Sequence, residues 1–179
     1  MNSQNQAKNV VIKNLQLRKG FGGSDQVTNG SAANTLSEAK SVDGESYSSQ
    51  GDDENALRVD GADVSLKNIT VQKTGGNSSN TENGDFYGQN AGLLVLNGSN
   101  ATIEGGTFQT SALNGNAVFC YGEGTTVNIS DAKIRTTKDN SGGIQTTGGG
   151  TTNAANLDVQ TEGNSAAAIE VTGAAEQFR

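Results

Sequence analysis

The sequence predicts an all-β chain, a right-handed single-stranded parallel β-helix of about 25 residues per coil and six to seven coils. Two observations carry this expectation. A short apolar-x-Asx-apolar-x-apolar motif recurs along the chain, and the composition suits a core that is one thin column of side chains.

The repeat is clearest where Asn9-Val-Val-Ile-Lys-Asn-Leu-Gln-Leu17 aligns with Asp63-Val-Ser-Leu-Lys-Asn-Ile-Thr-Val71. Looser copies follow at Val42–Tyr47, Ile103–Phe108, Ile129–Ile134 and Ala154–Val159. One apolar column reads Ile12, Val42, Leu66, Ile103, Ile129, Ala154, and a second reads Leu17, Tyr47, Val71, Phe108, Ile134, Val159. Between them run Asn14, Gly44, Asn68, Gly105, Asp131 and Asn156, small or Asx residues that accept left-handed dihedrals at a sharp corner between strands.

A further strand precedes each copy, at Ala56–Val59, Gly92–Leu96, Val118–Tyr121, Gly143–Thr146 and Ala168–Val171. Stepping from Leu94 to Phe119, Ile144 and Ile169 gives a single inward column, with Arg58, Val95, Cys120, Gln145 and Glu170 outward. In the coil before Val42, Ala33 or Leu36 is the expected counterpart. Glycines at 61, 98, 124, 149 and 173 supply the turn that follows. Hexapeptide left-handed helices and nonapeptide calcium solenoids have the wrong period.

Only 32% of the residues are hydrophobic and 4% aromatic, with 25 Gly and neither Pro, Trp nor His. That composition would suit a disordered chain, but it equally suits a solenoid. The 179 residues form one domain, residues 1–179. Twelve basic against 19 acidic residues give a net charge of −7, which disfavours nucleic acid and anionic membrane surfaces. Neither a membrane-inserting run nor a signal-peptide pattern is visible at the start. Cys120 excludes an internal disulfide framework and reads as a small packed residue.

In the stack, outward residues beside the corner, Lys13, Asp43, Lys67 and Glu104, alternate in charge and specify register more than they stabilise. Both ends lack a finished coil, so a segment of a longer solenoid, or end-to-end self-association, is expected.

Function is sought in the two insertions, near residues 19–32 and 75–90, which fall at the same corner. With the intervening Gly51–Asn55 they project Asp25, Asp52, Asp53, Glu54, Glu82 and Asp85 on one edge, beside Phe86, Tyr87 and Arg58. Three readings fit: a sugar-binding edge in which an aromatic stacks on a pyranose and carboxylates accept hydroxyls; a calcium site of carboxylate and carbonyl oxygens; or a solvated loop. No cofactor is otherwise implied. Catalysis is less favoured, because the chain has no His and the outer face of the first strand carries no Asp cluster. Lys19, Ser49, Lys73, Thr110, Thr136 and Thr161 form a column that, facing outward, would resemble an ice-binding threonine array.

Tyr47–Leu57, Asp85–Ala91 and Asn116–Thr125 resemble the pectin-lyase-like right-handed parallel β-helix repeats of bacterial cell-surface and adhesin-like proteins. The resemblance covers most of Val10 to Val171. It implies a non-catalytic, extracellular or cell-surface module for adhesion or glycan binding, with a host or cell-surface component as partner. The alternatives are a lyase-type polysaccharide-degrading enzyme and a structural spacer.

Overall fold

The computed structural model describes residues 5–7 and 28–172. The first motif copy with its Lys13 and Asn14, Lys19, Asp25, most of the first insertion and the segment from Gly173 lie outside these residues.

The chain is a parallel β-solenoid, and among the described residues its main strands stack into three sheets. The first sheet contains Thr35–Leu36, Leu57–Asp60, Leu93–Leu96, Val118–Tyr121, Ile144–Thr147 and Ile169–Thr172. The second contains Lys40–Asp43, Asp63–Lys67, Asn100–Glu104, Thr126–Ser130 and Thr151–Ala155. The third contains Ser46–Ser49, Thr70–Lys73, Thr107–Thr110, Lys133–Thr136 and Asp158–Thr161. Taken in turn they give five coils and the opening strand of a sixth. A short outlying pair, Ser31–Ala32 with Glu54–Asn55, joins the corners of the first two coils.

Register in the second and third sheets follows the repeat. Val42, Leu66, Ile103, Ile129 and Ala154 are paired in succession, as are Tyr47, Val71, Phe108, Ile134 and Val159, and all are buried. Between them the corner residues have left-handed backbone throughout, with φ of 76° at Gly44, 49° at Asn68, 65° at Gly105, 57° at Asp131 and 55° at Asn156. Glycine reaches that conformation without a Cβ penalty, and Asx residues offset theirs with local hydrogen bonds. The Asn156 amide, for example, donates to the Asp131 carboxylate of the coil before it. Lys67 and Glu104 form the expected outward pair at 3.7 Å, with both side chains about half exposed. Such a pair is worth roughly 0–1 kcal/mol, so it favours the register without holding the stack.

The first sheet departs from the expected register by one residue in its third and fourth coils, while Ile144 and Ile169 face inward as expected. Leu93, Val118, Ile144 and Ile169 form one inward column, and Leu36, Val59, Val95, Cys120 and Thr146 form the next. Leu94 and Phe119 therefore face outward with Arg58, Gln145 and Glu170, while Val95 and Cys120 turn inward. The error has a physical origin. Strict alternation assumes that one face meets water, yet every residue of Leu93–Leu96 and Ile144–Thr147 is buried, so polarity does not mark the face. Leu36 is the counterpart in the first coil, opposite Val59.

The threonine column is also corrected. Ser49, Lys73, Thr110, Thr136 and Thr161 point into the solenoid and are at most 5% exposed, so they form no ice-binding surface. The three threonine hydroxyls lock the turn that follows. Thr110 donates to the Gly115 carbonyl, Thr136 to that of Ser141 and Thr161 to that of Ala166, each five residues on.

The edge of the third sheet at the fifth coil is not bare. Asn5–Ala7 pairs antiparallel with Asp158–Thr161, with Gln6 opposite Gln160, where the repeat had suggested an open end. Among the described residues no helix is long and apolar enough to cross a membrane.

Candidate functional site

The acidic corner of the second coil is built around a buried cation. Asp52 accepts the Asn77 N–H and Asp53 the Ser79 N–H, each at 2.7 Å, so both carboxylates cap the backbone of the following coil. Asp53 itself has φ 52°. Glu54 accepts the Ser49 hydroxyl at 2.5 Å. Beneath them Lys73 is fully buried, and its ammonium donates to the Gly51 carbonyl and to Ser49 Oγ. Burial pulls the Lys73 amine below its ordinary value, and Glu54, Asp52 and Asp53 oppose that shift. The charge of these three acids thus acts on an ammonium ion that the chain itself supplies, and one oxygen of each already has a donor. Among the described residues no three His, Cys, Asp or Glu side chains are grouped to hold a metal ion.

Glu82, Asp85, Phe86 and Tyr87 belong to a different feature. The second insertion folds into a helix, Thr81–Tyr87, where a loop was expected. Asn80 caps its start by accepting the Asn83 N–H at 3.0 Å, and Gly88 ends it with φ 72°. Those two residues are the sequence signal for the helix, although seven residues are too few to form one in isolation. Packing supplies the rest.

The helix lies on the outer face of the first sheet and covers the outward apolar residues. Ala91, Leu94, Leu96 and Phe119 form a second apolar cluster apart from the solenoid core, with Tyr121 packed against it. Tyr87 is buried and meets Tyr121 edge to face, ring centroids 5.7 Å apart. A Cβ at Gly88 would stand 2.6 Å from Leu94 Cδ1 and 3.0 Å from Phe119 Cδ1, so close approach adds to the demand for positive φ. Sheet side chains bind the helix carbonyls: Gln145 that of Asp85 at 3.1 Å, Thr147 that of Phe86 at 2.7 Å, and Asn55 that of Gly88 at 3.0 Å. Asn29 reaches the Tyr87 carbonyl from the first coil.

The Asp85 carboxyl is half-buried at this interface and accepts the Asn114 amide at 2.7 Å. Burial, reinforced by Glu170, pushes it up to about 6, and burial also raises Glu170. Phe86 is half-buried, and Glu82 sits in the first turn, where a negative charge complements the free N–H groups. Arg58 is also drawn into structure. Its Nη2 donates to the carbonyls of Asn29, Gly30 and Ser31 and to Asn55 Oδ1, so it pins the first coil to the second. The predicted edge thus divides into a cation-filled corner and a docked helix, with Asn55 linking Arg58 to the helix end.

A groove of about 380 Å3 lies further along the same corner, between successive coils, lined by Asn77, Ser111, Leu113, Thr137, Lys138 and Asp139. The backbone under it is fixed by ladder bonds, Ser111 N–H to Lys73 O at 2.8 Å and Thr137 N–H to Thr110 O at 3.2 Å. Asp139 accepts the Asn164 N–H at 2.8 Å, while Thr137 and Lys138 are exposed. The groove's lining residues carry two hydroxyls, an amide, an ammonium, a carboxylate and one aliphatic side chain. Sequence reading missed it because Ser111, Thr137 and Lys138 belong to the ordinary short turns, not to an insertion.

Compared with protein-family models, with curated proteins and with solved structures, the chain matches none. Its architecture stands on the strand pairing alone. The chain is a β-solenoid with parallel sheets.

Proposed function

We propose that this solenoid is a non-catalytic adhesion or glycan-binding module of a bacterial cell-surface or secreted protein, and that the groove at Ser111, Thr137 and Lys138 receives the sugar. The groove carries the reading. It offers hydroxyl and amide partners for sugar hydroxyls, one charged side chain of each sign and the Leu113 side chain, all mounted on corners that the β-ladder holds rigid. The acidic corner and Arg58 support a scaffold role in turn, since Asp52, Asp53, Glu54 and Arg58 are engaged in hydrogen bonds between and within coils.

A glycan array probed with the full chain tests this reading. Retention of defined saccharides is expected, with Thr137→Ala and Lys138→Ala each weakening binding about tenfold, the worth of one or two hydrogen bonds. An empty array, or binding that both variants leave unchanged, overturns it. Release of unsaturated products from an acidic polysaccharide would instead establish the lyase-type alternative.

A further inference from the structure

We propose that the helix Thr81–Tyr87 is a pH-released latch, closed over the outer face of the first sheet while the Asp85 carboxyl carries its proton and loosened when that proton leaves.

The geometry sets two carboxyls on one strip. Gln145 and Glu170 are register partners on adjacent strands, and Gln145 holds the Asp85 carbonyl, so Glu170 stands one coil beyond the point where the helix is tied down. Both carboxyls are half-buried. Among the described residues the hydrogen bond to the Asp85 carboxyl comes from the neutral Asn114 amide.

Among the described residues no cation faces the pair from the elements packed on the helix. Strands Leu93–Leu96 and Ile144–Thr147 carry no charge, and Val118–Tyr121 contributes the Tyr121 phenol. Loop Ala112–Asn116 is uncharged, and Ile169–Thr172 contributes Glu170. The helix itself adds Glu82 and the Tyr87 phenol. Strand Leu57–Asp60 brings Arg58, bound to the carbonyls of residues 29–31, and Asp60, which accepts the Asn97 amide. No described residue therefore compensates a second negative charge on this strip in the closed state.

The sign follows from linkage. Burial first and Glu170 second raise the closed-state Asp85 carboxyl from 3.8 to about 6, so the closed form binds a proton that the open form releases. The latch is tightest below the ordinary carboxyl value and weakens as pH rises from there through about 6. Two-state linkage between those values makes the opening constant grow about 25-fold from pH 4.5 to pH 7.5. Opening uncovers Leu94, Phe119 and Tyr121.

Hydrogen exchange of the segment 76–92 in the full chain, corrected for the intrinsic effect of pH on exchange, tests the latch. Protection should fall about 25-fold between pH 4.5 and 7.5 in the wild type, while the solenoid strands keep theirs. Asp85→Asn should lose most of the pH response, leaving only the part due to Glu170, and Glu170→Gln should move the transition to lower pH. Equal protection of the wild-type segment at both pH values overturns the proposal, as does a pH response of undiminished size in Asp85→Asn. Should Asp85→Asn fail to fold, the wild-type profile and Glu170→Gln decide alone.

Discussion

Lys73 Nζ lies 3.2 Å from Ser49 Oγ, and the two residues are register partners on adjacent coils inside the solenoid. In the three coils after Lys73 a threonine at this position closes its own turn by binding the carbonyl five residues on. The second coil runs into the insertion instead, and the position is filled by a longer side chain that reaches back to the Gly51 carbonyl of the coil before it.

Lys73→Met should therefore be costly. It removes the internal cation and leaves Glu54 half-buried beside an orphaned carbonyl, a loss of about 3 kcal/mol. The urea midpoint should fall accordingly. Lys73→Thr should not restore it, because a threonine is too short to reach Gly51. An unchanged midpoint in both variants would show that the ammonium contributes nothing.

Phe119 and its neighbour Val118 separate the two apolar clusters. Phe119→Ala should loosen the helix at a cost of about 3–5 kcal/mol of docking while the coil column persists. Val118→Ala should instead weaken the solenoid itself. Limited proteolysis distinguishes them: cleavage of Phe119→Ala should concentrate within residues 76–92, whereas the same cleavage pattern in both variants would contradict the assignment.

The Cys120 thiol is fully buried, and burial pushes it up to about 11. At pH 8 it is protonated as well as inaccessible, so a thiol reagent should label it only as fast as the chain opens. Full labelling in denaturant, with negligible labelling over the same minutes in buffer, is the expected pair of results. Rapid labelling in buffer would place the side chain at the surface.

The second and third sheets were legible in the sequence because their outer faces meet water, so that Val42, Leu66 and Ile103 alternate with Asp43, Lys67 and Glu104. Asn68 and Asp131 mark their corners by residue type alone. The first sheet was legible only as a set of strands. Leu93 and Leu94 are both apolar and both buried, and nothing short of the helix above them tells which one faces in. The candidate site was obscured for a related reason. Asp52, Asp53 and Glu54 look like ligands in one dimension, and only the stacking brings Lys73 beneath them. Glu170 lies 85 residues after Asp85, too far in sequence for spacing to suggest that they meet.

A stack of similar coils interacts mainly between nearest neighbours, and such arrays can melt from either end one unit at a time. The helix lies across that grain. It is bonded to Asn29, Asn55, Gln145 and Thr147, residues of coils one, two and five, and so ties together coils that do not touch. It is a splint. With it in place, loss of one coil strains the seating of the others, and the array should unfold as a single block; with it lifted, the same coils are free to fray independently.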